Sequence, residues 1–321
     1  MPHPTGENPS VSKAAPLLQI VPASLEWESL FITARDGLKL HVRHIGPRTG
    51  TELPVICLPG LSRNVDDFET IGRAIAEAGN RWVVALDSRG RGGSGYDPNW
   101  RNYDLQVELD DLQQVIVALG IEEAVFFGTS RGGLLTALMS LVRPAVIRGA
   151  ILNDIGPVIE ARGLARIRGY VGKLPLPRTV EEGAATLRAV FGTHFTDMLD
   201  GAWERYARRT WREENGRLAP RYDQNLMRPL ADLDLEKPMP DLWPQFAPLA
   251  AAPMMVIRGE LSDILSRKTA EDMVARHPNA RLHEVPYQGH APILEDEPTI
   301  EAVKAFLGVC KTAGPLEATP R

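Results

Sequence analysis

Cysteine is scarce in this chain: two residues in 321, Cys57 and Cys310, too few and too far apart for a disulfide framework or a Cys/His metal site. Both lie among apolar neighbours and are expected to be buried thiols. Long hydrophobic runs are missing too. No stretch reaches the roughly 18 uninterrupted apolar residues of a membrane helix, and the N-terminus lacks a basic region leading into an apolar core, so neither a membrane nor a secretory route is expected. The expected location is cytoplasmic. An excess of basic charge is also lacking, because 36 Lys and Arg stand against 41 Asp and Glu, a net of −5. With both signs interspersed and no basic stripe, nucleic acid is not an expected partner. The glycine clusters do not end in Gly-Lys-Ser/Thr, and none opens a helix as Gly-x-Gly-x-x-Gly, so phosphate-cradling loops are not expected. No internal repeat is visible.

What the chain does have is an ordinary globular balance, 44% hydrophobic and 24% charged. Five prolines before residue 24 and little periodicity predict a mobile tail over 1–24, and a second short tail is expected over 313–321. Two strand-like runs between Trp27 and Ile45 flank Asp36-Gly37, a dipeptide suited to a tight hairpin. Val55–Leu58 then reads as a strand buried on both faces. Phe68, Ile71, Ile75 and Ala78 follow at helical spacing, with Gly79 as the stop. A strand at 82–86, a helix at 105–119, a strand at 124–127, a helix at 134–141 and a strand at 149–152 continue the alternation. That rhythm predicts an α/β protein whose mostly parallel central sheet is flanked by helices.

After Asp154-Ile-Gly-Pro157 the rhythm breaks. Amphipathic segments rich in Arg and Trp occupy 163–174, 180–191 and 197–214 without a credible buried strand, so 156–248 is expected to be a helical cap inserted after the sixth strand. The α/β core would then comprise 25–155 and 249–312. The sheet resumes with Met254–Ile257, a helix at 266–276, a strand at 281–285 and a closing helix at 298–310. Trp203, Tyr206 and Trp211 are spaced for one helical face and read as packing residues.

Between a buried strand and an apolar helix stands Val125-Phe-Phe-Gly-Thr-Ser-Arg-Gly-Gly133, a Gly-x-Ser-x-Gly match in the strand–turn–helix context of a nucleophile elbow. Gly128 and Gly132 would supply the space that so sharp a turn needs. From Trp27 to Cys310 the chain resembles the α/β-hydrolase superfamily. Leu58-Pro-Gly-Leu61 is similar to the family's oxyanion loop, with Pro59 where histidine is usual. By that resemblance the backbone N–H groups of Leu61 and Arg131 would form the oxyanion hole. Asp87-Ser-Arg-Gly-Arg-Gly-Gly-Ser-Gly95 resembles another family segment and is given a structural role, with Asp87 and Arg89 bracing the loops near the elbow; Ser94 has no helix behind it and is a poor rival nucleophile.

A serine hydroxyl needs an adjacent base, and that base needs a partner to fix its tautomer. His290, in a Gly-His turn after a strand, is the expected base. Asp263, in the loop after Met254–Ile257, is the expected acid. Ser130, Asp263 and His290 then fall in the family's chain order. Asp154 competes with Asp263 because it also follows a parallel strand, and Glu260 is a further fallback. The activity expected from the resemblance is hydrolysis of a small-molecule carboxylic ester through an acyl-enzyme, with no cofactor or metal. A lactonase or a carbon–carbon hydrolase would use the same residues, and a ligand-binding protein that has lost turnover would share the fold. Oligomeric state is left open.

Overall fold

The computed structural model describes residues 25–214, 216–231, 234–237 and 239–311; the expected tails, 1–24 and 313–321, lie outside the described residues. The chain opens with the antiparallel pair β1 (Glu28–Thr33) and β2 (Lys39–Ile45), joined through the turn at Gly37. Strand β3 (Val55–Leu58), helix α1 (Glu69–Gly79), β4 (Val83–Leu86), α2 (Leu105–Leu119), β5 (Ala124–Thr129), α3 (Arg131–Val142) and β6 (Ile147–Asn153) then alternate. After an insertion come β9 (Met254–Gly259), α9 (Arg267–Arg276), β10 (Ala280–Val285) and α10 (Glu297–Leu307). These strands form one eight-stranded sheet in the order β1-β2-β4-β3-β5-β6-β9-β10, in which β2 alone runs against the others.

Residues of alternating register enter different cores, as the period-2 geometry of a strand requires. Ile56, Leu58, Val84, Phe126, Leu152 and Val256 join one apolar cluster, and Val55, Cys57, Val83, Phe127, Ile151 and Ile257 join another. Both faces are covered, which is why these strands read as continuous apolar runs. The two cysteines are buried, and burial pushes both thiols up, that of Cys310 to about 11.

Strand order reverses at β3: its chain successor β4 lies on one side and β5 on the other. Open parallel sheets leave a crevice at such a point, beyond the carboxyl ends of the strands. The loops after β3, β5 and β6 emerge there.

The insertion between β6 and β9 carries α4 (Ala161–Tyr170), α5 (Val180–Phe191), α6 (Asp200–Thr210), the hairpin β7 (Trp211–Glu214) and β8 (Arg217–Pro220), then the short helices α7 (Arg228–Ala231) and α8 (Trp243–Phe246). The hairpin was not among the elements expected of this mostly helical insertion. Its outer residues are exposed, so it lacks the apolar run by which the sheet strands announce themselves. Phe191, Phe195, Trp203 and Trp211 pack on one another in a small core of the insertion, and Trp243 packs against the main core.

Candidate active site

Ser130 sits between β5 and α3 with φ 49° and ψ −112°, a conformation that an L residue holds only when its surroundings force it. Two glycines make room for it. A Cβ at Gly128 would strike the Gly132–Gly133 backbone, and one at Gly132 would strike the carbonyl of Leu58. The Ser130 amide donates to the Asn153 carbonyl at 2.9 Å, tying the turn to the end of β6.

The hydroxyl of Ser130 is 2.9 Å from His290 Nε2, and the other ring nitrogen, Nδ1, is 2.8 Å from Asp154 Oδ2. An ionised carboxylate only accepts, so Nδ1 carries the proton and Nε2 is left to accept from the serine. Asp154 is fully buried and otherwise well held. Its Oδ1 accepts from the Gly259 amide at 2.9 Å, and Oδ2 also accepts from the Ser262 hydroxyl at 2.6 Å.

Asp263, the acid favoured by the sequence, does not take this position. The turn after β9 closes at once, with the Ser262 amide donating to the Gly259 carbonyl, and it delivers Ser262 rather than Asp263 to the Asp154 carboxylate. Asp263 faces the insertion, where Arg166 on α4 grips it with two hydrogen bonds of 2.5 and 2.7 Å and His194 Nε2 lies 3.7 Å away. Burial opposes ionisation of Asp263, but Arg166, with help from His194 and His290, holds the carboxyl below its usual range. Glu260 is engaged elsewhere, accepting from the Tyr287 amide. The reason for Asp154 lies in strand register. Thr129 of β5 pairs with Asn153 of β6, so the next residues, Ser130 and Asp154, leave the sheet side by side.

Gly60 brings the loop after β3 against the elbow, for a Cβ built there would lie 3.6 Å from that of Ser130. Leu61 follows it. Arg131 is the first residue of α3, where a backbone N–H has no intrahelical partner. Side chains from the loop after β4 and from α2 hold both residues. Arg91 donates through Nε to the Leu61 carbonyl at 2.7 Å and through Nη1 to Glu108 at 2.6 Å; Arg131 Nε donates to the other oxygen of Glu108 at 2.7 Å. Sequence reasoning passed over Glu108, although its place among Leu105, Leu109 and Leu112 on the buried stripe of α2 marks it as a carboxylate that must find a partner.

Asp87 and Arg89 are likewise engaged within the fold. Asp87 accepts from His41 and from the Val65 and Gly93 amides, while Arg89 pairs with Asp111, Asp97 and Asp36. Ser94 is buried and donates to the Asp87 carbonyl. Residues of the insertion approach from the far side: Tyr206 stacks on Arg63, and the Thr196 amide donates to the Tyr287 carbonyl in the loop that carries His290. Among the described residues, no group of three or more His, Cys, Asp or Glu is arranged to hold a metal, and no helix is long and apolar enough to cross a membrane.

Known proteins resemble the chain over most of its length. The chain is 30% identical over 275 residues to a 3-hydroxybutyrate-oligomer hydrolase of Cupriavidus necator, covering 78% of this chain and 87% of that protein. Esterase YbfF of Escherichia coli is 23% identical, over 84% of this chain and 99% of its own. An α/β hydrolase of Novosphingobium aromaticivorans, solved by crystallography, is 39% identical and superimposes with a TM-score of 0.81, covering 88% of this chain and 98% of the other. The sequence model of the alpha/beta hydrolase family matches residues 55–303, and the chain belongs to that family.

Proposed function

We propose that the protein hydrolyses a small-molecule carboxylic ester by two-step acyl transfer, with Ser130 as nucleophile, His290 as general base and Asp154 as the acid that orients it. The observation that carries this reading is the continuous hydrogen-bonded chain from Ser130 through His290 to Asp154 at a strained elbow. Ser130 Oγ would bond to the ester carbonyl carbon while its proton passes to His290 Nε2. The resulting oxyanion would rest on the Leu61 and Arg131 amides. His290 would then give the proton to the departing alkoxide as the carbon–oxygen bond breaks, and water would repeat the sequence to release the acid. Asp154 would stabilise the imidazolium in each half. The insertion over the elbow would act as a cap that limits substrate size.

The likeness to a hydrolase of 3-hydroxybutyrate oligomers makes short aliphatic and hydroxyacyl esters the first substrates to try. Purified protein should be assayed against aryl esters of graded acyl length, hydroxyacyl ester oligomers, lactones and vinylogous ketones. Ser130→Ala should abolish turnover of every accepted substrate, by roughly 10⁴-fold or more, with an unchanged melting curve, and a fluorophosphonate should label Ser130 in the wild type. Wild-type rates in Ser130→Ala would overturn the nucleophile; turnover of the lactones or ketones alone would overturn the ester assignment.

A further inference from the structure

We propose that Arg91 and Glu108 are positioning residues that set the separation of the two oxyanion donors, a role that rests on the serine-hydrolase reading above. The two donors belong to loops far apart in sequence, Leu61 after β3 and Arg131 after β5. A single carboxylate spans them. Glu108 Oε2 holds Arg131 Nε at 2.7 Å, Glu108 Oε1 holds Arg91 Nη1 at 2.6 Å, and Arg91 Nε holds the Leu61 carbonyl at 2.7 Å. Second contacts fix the orientation of each guanidinium, since Arg91 Nη1 also donates to the Arg89 carbonyl at 2.7 Å and Arg131 Nη2 to the Tyr103 carbonyl at 3.2 Å.

Arg91 is 1% exposed and Glu108 2%, so solvent cannot loosen the span. Burial opposes ionisation of Glu108, and the two arginines overcome it, holding the carboxyl below its ordinary value. Stability alone is a poor account of such a cluster, because a buried ion pair is roughly matched by apolar packing of the same shape. This cluster is not fully satisfied either: Nη2 of Arg91 is buried with no hydrogen-bond partner among the described residues. What the cluster does provide is geometry. It pins the carbonyl of one donor residue and the side chain of the other, and on the serine-hydrolase reading this would hold their amides at one spot beside Ser130 before substrate arrives. A donor must lie within a few tenths of an ångström of its place to stabilise a developing oxyanion.

The test compares wild type with Glu108→Gln and Arg91→Lys, using an aryl ester as substrate and two ketone probes of the same shape. An aryl trifluoromethyl ketone adds to the serine: the Oγ–carbon bond forms, the proton passes to His290 and an oxyanion results. The corresponding methyl ketone, which binds without addition, reports ground-state affinity. Each variant should lose about 10- to 100-fold in kcat/KM, with a parallel rise in the Ki of the trifluoromethyl ketone, while KM and methyl ketone affinity stay within about threefold. Lysine at 91 keeps the charge beside Glu108 but cannot hold the Leu61 carbonyl and the carboxylate together, so this variant carries the test if Glu108→Gln does not fold. A lower melting temperature with wild-type kcat/KM and Ki, measured well below melting, would make the cluster merely structural and overturn the proposal. Failure of the wild type itself to bind the trifluoromethyl ketone would instead overturn the serine reading, and the positioning role with it.

Discussion

Strands β3, β4 and β9 bury every residue, whereas α5 and α6 bury one stripe each, with Arg209 drawn into that of α6, and turn their other arginines and carboxylates outward. The two regions therefore hold their functional groups by different means. In the sheet, position follows from register and from strands that cannot slide without exposing a whole apolar face. In the insertion, apolar anchors such as Ile167, Val171 and Leu226 reach the main core, and charged side chains add contacts to the sheet loops: Arg166 with Asp263, Arg209 and Arg205 with Glu295, Arg221 with Asp66, and Arg63 with Thr210. The two aspartates near His290 illustrate the difference. Asp154 is fixed by the sheet and meets the imidazole; Asp263 is fixed by the insertion and meets a guanidinium.

The largest expected effect comes from replacing the sheet's aspartate. Asp154→Asn keeps the shape but can leave His290 in the wrong tautomer and cannot stabilise the imidazolium, so kcat should fall by about 10⁴-fold. The thermal midpoint should move far less than the rate, because the Gly259 amide and the Ser262 hydroxyl can still bond to an amide oxygen. Steady-state kinetics beside a melting curve would decide the matter. A loss below tenfold would place the orienting acid elsewhere.

Much of the sheet is legible in the sequence because burial on both faces leaves uninterrupted apolar runs such as Val55–Leu58 and Met254–Ile257. The meeting of Ser130 with His290 is legible because each sits in a turn whose glycines have a steric purpose. The carboxylate that meets His290 was not. Choosing between Asp154 and Asp263 requires knowing that Thr129 pairs with Asn153 and that the turn after β9 closes at Ser262, and neither follows from the spacing of residues along one chain. The β7–β8 hairpin was obscured because Trp211-Arg-Glu-Glu214 prolongs the amphipathic pattern of α6. Asn215-Gly216 was the local signal for it, a dipeptide suited to tight hairpin turns.

Replacing the insertion's aspartate should produce the opposite balance of effects. Asp263→Asn removes the negative partner of Arg166, whose Nη1 is already buried without a hydrogen bond among the described residues, so folding stability should drop by about 1–3 kcal/mol. Turnover of small esters should change by less than about tenfold, since His290 keeps its bond to Asp154. A loss of kcat comparable to that of Asp154→Asn, with little change in melting, would reverse the roles of the two carboxylates.

The smallest effect is in the pH dependence of that same pair. The folded carboxyl of Asp263 lies below its ordinary value of 3.8, with Arg166 outweighing the cost of burial. A carboxyl depressed by folding contributes stability that is fully present above the unfolded value and is lost as pH falls through the folded one. Asp263 should therefore add no slope to stability across neutral pH, and its contribution should fade as pH falls from about 5 through 3.8 and below. His194, near the same carboxylate, and Arg166 remain in both proteins, so the difference between wild type and Asp263→Asn isolates this group to first order. Melting temperatures of the two proteins should stay separated by a constant gap from neutral pH down to about 5, then converge on further acidification. A gap that widens as pH falls towards 3.8 would mean that Arg166 does not stabilise the ionised form, and the charged contact between insertion and sheet would lose its strongest support.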